Sequence, residues 1–134
     1  LDLLRRQQRE RNMSMILITH NLGVVSGYTD DVAIMYAGKI VEKYQTEELI
    51  ANPRMPYTEA LINSAPLLSD SPHTRLQAIP GLPPDLLNLP EGCRFQARCP
   101  YVQDKCKAAT PELEDDSEHS FACWRPIGDG RDKA

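Results

Sequence analysis

The chain has 134 residues, 41% of them hydrophobic, and a formal net charge of −4. That length fits one ordinary domain or two small ones, and the mildly acidic balance argues against non-specific nucleic-acid binding. No run approaches the roughly 18 apolar residues of a membrane span, and no basic segment followed by an apolar one opens the chain. Leu1 to Arg11, LDLLRRQQRER, is apolar only near its start and reads as the exposed end of a helix. It carries neither an initiator methionine nor a cap, so we expect a fragment. Ser14 to Thr19, SMILIT, is continuously apolar. Unbroken burial over a short run predicts a strand, Met15–Thr19, inside a parallel sheet. His20 follows it directly, and Asn21 is placed to cap a helix over Leu22–Tyr28.

Asp31–Tyr36 and Lys39–Tyr44 are predicted to pair as a hairpin. Ala37 and Gly38 lie between them. Ala is poorly suited to a type I′ turn, so a type I turn with Gly38 as a bulge is expected. Thr46 is placed to cap a short helix, TEELIA, which Asn52-Pro53 ends. A further helix is predicted over Tyr57–Ala65. From Pro66 the sequence turns proline-rich, and Pro80-Gly81-Leu82-Pro83-Pro84 reads as a stiff connector. Glu112 to Glu118, ELEDDSE, reads as a solvated acidic loop, and Gly128 to Ala134 as a frayed tail.

All four cysteines fall late: Cys93, Cys99, Cys106 and Cys123, spaced C-x5-C-x6-C-x16-C. A segment this short and poor in aliphatic residues needs a cross-link, which four thiols can supply. Disulfides suit secreted proteins, whereas the front of this chain looks like an intracellular α/β protein, so metal ligation is the better expectation. The spacing lacks the short knuckles of zinc sites and matches no ferredoxin pattern. On spacing alone an iron–sulfur cluster, zinc and free thiols stay open. His119 is a reserve ligand or else a surface histidine. Arg94 and Arg98 flank the first cysteines and could offset thiolate charge or form a solvated basic edge. Phe95 and Trp124 are expected to form the apolar lid of a small cysteine domain.

The run SMILITHNLGVVSGYTDDVAIMYAGKIVEKY resembles the region of ATP-binding-cassette ATPases around the switch histidine. The continuation NPRMPYTEALINSAP, and then IPGLPPDLLNLPEGCRFQARCPYVQDKC, narrows the resemblance to the peptide and nickel importer branch. The fold it implies is α/β: the C-terminal portion of a P-loop NTPase domain over residues 1–65, a connector over 66–92, a four-cysteine extension over 93–126 and a tail over 127–134.

The resemblance assigns His20 as the switch histidine, which contacts the γ-phosphate and helps order the attacking water. Asn21 stands where the family often has Asp, and its side chain can still cap. The resemblance makes Cys93, Cys99, Cys106 and Cys123 ligands of a [4Fe-4S] cluster, with zinc the alternative. It implies ATP and Mg2+ as cofactors of the whole protein, at the cytoplasmic face of the cell membrane. The implied partners are two transmembrane permease subunits, a second ATPase subunit and, indirectly, an extracytoplasmic peptide-binding protein. No G-x-x-x-x-G-K-[ST] loop occurs, since Gly38-Lys39 is followed by Ile40, and no signature sequence or Walker B acid precedes His20. The chain alone is therefore expected to be inactive, with open edges along its predicted strand. A rival reading is a freestanding metal-binding interaction module, which requires a complete core within residues 1–65. A hydrolase using Cys and His is a poor fit, because no cysteine is paired with a histidine and an orienting acid.

Overall fold

A two-stranded hairpin, β1 (Asp31–Tyr36) and β2 (Lys39–Gln45), forms the centre of the molecule. The computed structural model describes residues 1–65, 78–113 and 119–128. The proline connector's first part, most of the acidic run and the last six residues of the tail lie outside these described residues. Around the hairpin stand α1 (Asp2–Arg11), α2 (Leu22–Tyr28), α3 (Thr46–Ala51), α4 (Pro56–Ser64), α5 (Asp104–Ala108) and a short β3 (Ser120–Phe121).

Tyr36 pairs with Lys39 across a two-residue turn, and a bulge interrupts the register between Ile34 and Met35. Both turn residues are left-handed, Ala37 at φ 46° and Gly38 at φ 83°. The expected type I turn is thus replaced by the type I′ sense, whose twist matches the strands. Ala37 adopts this conformation at a cost of roughly 1–2 kcal/mol. The Arg94 guanidinium donates to the Ala37 carbonyl and holds the turn from outside.

The predicted strand Met15–Thr19 does not form. That segment has no regular structure, and Ile16 and Ile18 are 92% and 94% exposed. A strand needs a neighbour to satisfy its backbone groups. The described sheet, in order β1-β2-β3, offers this segment no pairing. Helix α1 forms as expected but buries no residue. It is tied to α2 by Tyr28, which donates to Asp2 (2.9 Å), and by Arg5, which donates to the Gly27 carbonyl (3.1 Å). Asn21 caps α2 as anticipated, accepting from the Val24 N–H at 3.3 Å. Thr46 does not cap α3. It is the helix's first residue, its N–H donates to the Asp30 carbonyl, and its hydroxyl bonds that of Thr29 at 2.9 Å.

The core consists of Ile34, Tyr36, Val41, Leu49, Met55 and Phe95. Phe95 is 1% exposed and meets Tyr36 edge-on at 5.3 Å. It is therefore a core residue of the hairpin and not the lid of a separate cysteine domain. Cys93, Cys99 and Cys123 pack against the same cluster. β3 adds to β2 through Glu42–Phe121 and Lys43–Ser120, and the Ile127 N–H donates to the Arg54 carbonyl at 3.0 Å. The hairpin and the cysteine segment thus share one core, because neither has enough apolar surface to close one alone. Residues 1–65 do not complete a core by themselves, contrary to what the rival reading requires.

Candidate functional site

The four cysteines enter the site from three directions. Cys93 and Cys99 sit on the turns that follow Gly92, Cys106 lies inside α5, and Cys123 follows β3. The Cys93 N–H donates to the Cys106 carbonyl at 2.7 Å, which joins the first turn to the helix. Gly92 makes that approach possible: at φ +79°, a Cβ there would run into the carbonyls of Cys106 and Lys107. All four thiols are free.

Burial dominates the electrostatics of Cys93, Cys99 and Cys123, and neighbouring cysteines add to it. Burial pushes the Cys93 thiol up first, with nearby Cys106 adding to the effect. Cys99 is raised by burial and then by Cys93 and Cys106, against the opposing N–H of Tyr101 and the charge of Arg125. Cys123 is pushed up to about 12, again mainly by burial, with Cys99, Cys93 and Cys106 contributing. Backbone N–H groups are aimed at three of the sulfurs: those of Phe95 and Gln96 at Cys93, of Tyr101 at Cys99 and of Arg125 at Cys123. The last measures 3.4 Å. Such donors favour thiolate over thiol, while burial opposes it. Among the described residues no three His, Cys, Asp or Glu side chains lie close enough together to hold one metal ion.

The two arginines flanking the cysteines act elsewhere. Arg94 serves the hairpin turn, and Arg98 donates to the carbonyls of Pro80 (2.8 Å) and Ile79 (3.2 Å) and to the Tyr36 hydroxyl (3.3 Å). Trp124 donates from Nε1 to the Ala109 carbonyl at 2.9 Å, with the Lys105 ammonium 3.7 Å above its ring. A recess of about 550 Å³ borders Cys99, Arg98, Tyr101, Glu59 and Ile79.

His119 is neither a thiol partner nor a plain surface residue. Its Nε2 lies 2.7 Å from Glu42, and its ring stacks on Tyr44 at 4.5 Å. The Glu42 carboxylate is fully buried and also accepts from the N–H groups of Arg54 (2.6 Å) and Met55 (3.2 Å). This buried acid was missed in the sequence. The only signal is a Glu inside an apolar strand with a His far downstream, and that pattern does not announce a contact. His20 stands apart from this assembly. It is exposed, at the bend between the apolar segment and the cap of α2, and lies outside the cluster that contains the cysteines.

Residues 41–106 match the family model described as the oligopeptide/dipeptide transporter, C-terminal region. By sequence the chain is similar to the C-terminal regions of peptide and oligopeptide transport ATP-binding proteins. It is 44% identical over 124 residues to a protein of Brucella ovis named for peptide import and ATP binding, covering 89% of this chain and 37% of that protein. It is 44% identical over 126 residues to the oligopeptide transport ATP-binding protein OppD of Mycobacterium tuberculosis, covering 93% of this chain and 21% of the relative. With OppD of Escherichia coli K12 it shares 41% over 127 residues, 95% of this chain and 37% of the relative. The chain thus spans well under half the length of these relatives. The matched family region begins inside β2 and ends at Cys106, so it crosses from the hairpin into the cysteine segment without a break. Its span therefore agrees with the single shared core. Three of the cysteines lie within it, and Cys123 lies beyond.

Proposed function

We propose that the chain is the C-terminal part of an ATP-hydrolysing subunit that energises import of short peptides. The observation that carries this is the family match running from β2 to Cys106. In the whole subunit, ATP and Mg2+ would be held by motifs this chain does not contain. His20 would supply a donor to the γ-phosphate and position water, a task that needs charge placement and no covalent step. Its exposure, next to the helix that Asn21 caps, supports that role. Ile16 and Ile18, bare of cover here, would pack into the sheet of the complete domain. The subunit would work at the cytoplasmic face, beneath two permease subunits and beside a second ATPase, with a peptide-binding protein delivering substrate. Among the described residues no helix is long and apolar enough to cross a membrane. Replacing His20 with Ala in the full-length subunit should cut ATP hydrolysis and peptide uptake at least about 100-fold. The 134-residue chain should not hydrolyse ATP. Turnover by this chain, or an unchanged rate in the His20→Ala subunit, would overturn the reading.

From the family resemblance alone, we infer that a [4Fe-4S] cluster, with zinc the alternative, would be the resident group of Cys93, Cys99, Cys106 and Cys123. One tetrahedral zinc, with Zn–S near 2.3 Å, needs its sulfurs within about 3.8 Å of one another. A cluster distributes its thiolates over several irons and accepts a wider cage. The N–H groups directed at Cys93, Cys99 and Cys123 add to the fit, as does the recess beside Cys99, which gives a route in. Bound there, the cluster would supply a four-point cross-link and a one-electron couple. Anaerobic reconstitution with ferrous iron and sulfide should give a broad band near about 400 nm and about four irons per chain. Stoichiometric zinc, or folding without metal uptake, would remove the cluster.

A further inference from the structure

A second recess, of about 130 Å³, opens beside the hairpin turn. Val41, Met55, Phe95 and Ala122 line it, and all four are buried. Water gains little in such a place, because an apolar wall gives it few partners. An apolar cavity of about 150 Å³ holds a benzene-sized group, so this one admits a short branched or aromatic chain.

The rest of the lining is charged. Among the described residues it carries two cations, Lys39 and Arg94, against one carboxylate, Glu112. Both cations belong to the turn: Lys39 directly follows Gly38, and Arg94 donates to the Ala37 carbonyl. The remaining N–H groups of Arg94 have no partner among the described residues. Glu112 meets Lys39 at 3.4 Å, with the two side chains 78% and 41% exposed. A pair so exposed is weak and exchanges readily for another carboxylate. Ala37 is held at φ 46°, a strained conformation for a residue with a Cβ, and strain of this kind gathers at binding sites.

We propose that this recess binds a small carboxylate, a molecule with one compact apolar group and one anionic head. The apolar group enters against Met55 and Phe95. The head takes the place of Glu112 on Lys39 and meets the open part of the Arg94 fork, whose geometry suits two carboxylate oxygens. Binding there requires neither nucleotide nor metal.

The test uses the 134-residue chain with its methionine methyl groups labelled for NMR, titrated with 4-methylpentanoate. The Met55 signal should shift and saturate, while those of Met13, Met15 and Met35 stay still. The matching alcohol, 4-methylpentan-1-ol, should bind roughly tenfold more weakly, because it lacks the charge. N-acetyl-leucine carries the same branched group and head after an amide. Tighter binding of N-acetyl-leucine assigns the site to the ends of peptides, and tighter binding of 4-methylpentanoate assigns it to free acids. Glu112→Gln removes the competing carboxylate and should tighten acid binding about threefold. Arg94→Gln should erase the preference for acid over alcohol. Lys39→Gln should narrow that preference, and it serves if the Arg94 variant does not fold, with circular dichroism as the check. A Met55 signal that does not saturate, or equal binding of acid and alcohol by the wild type, overturns the inference. So does acid binding that Glu112→Gln leaves unchanged.

Discussion

The opening segment and the hairpin region contain the same kinds of apolar residue and treat them in opposite ways. In SMILIT, Ile16 and Ile18 stand almost fully in solvent, and α1 buries nothing. In the hairpin, Ile34 and Val41 are buried, and Phe95 reaches them from far along the chain. Propensity and hydrophobicity alone do not separate the two stretches. A partner does: the hairpin brings its own second strand, and the cysteine segment then closes over it. The apolar run at the start has no such partner among the described residues.

The widest measurable gap between the regions should come from truncation. Phe95→Ala should cost about 3–5 kcal/mol in urea denaturation, whereas Ile16→Ala and Ile18→Ala should each stay within about 0.5 kcal/mol. A comparable loss at Ile16 would erase the distinction. Next comes the buried carboxylate that joins β2, the start of α4 and His119. Glu42→Ala strands two backbone donors and should cost about 2–4 kcal/mol, while Glu42→Gln should cost less because it keeps an acceptor. Gly92→Ala should follow. Its left-handed backbone alone costs about 1–2 kcal/mol, and the carbonyls of Cys106 and Lys107 leave no room for a methyl group. Thermal unfolding of the three variants would rank them.

A smaller effect should appear on the alkaline side. The metal-free fold keeps Cys123 protonated to about pH 12, whereas an unfolded thiol ionises near 9. The stability this contributes is fully present below pH 9 and is lost as pH rises from 9 towards 12, because the unfolded state releases its proton first. Cys93 and Cys99 are shifted in the same direction. Cys123→Ala should flatten that alkaline fall in a series of urea midpoints. A slope equal to the wild type's would mean that the thiol is not held neutral by the fold.

The sequence conveyed the hairpin, α2 with its Asn21 cap and the two helices after β2, because each rests on neighbours close in the chain. It also conveyed which residues resemble the importer family. The sense of the turn was not legible, since Ala37 takes its left-handed form with its carbonyl held by Arg94, 57 residues away. The strand at Met15–Thr19 failed for the complementary reason: its pattern describes a place in a sheet that the described chain does not provide. The separate cysteine lid failed because Phe95 serves the hairpin. Around the cysteines, the work of the flanking arginines was not legible: Arg94 holds the hairpin turn, and Arg98 binds the carbonyls of Ile79 and Pro80, both contacts far along the chain.

Trp124 is the chain's single tryptophan and follows Cys123 directly. Its indole is fixed between the Ala109 carbonyl and the Lys105 ammonium. Tryptophan emission from this molecule therefore arises at one spot, beside Cys123. That gives this region an optical reporter with no dye attached: the loosening of α5, or the parting of β3 from the hairpin, would each change the colour or brightness of the same ring.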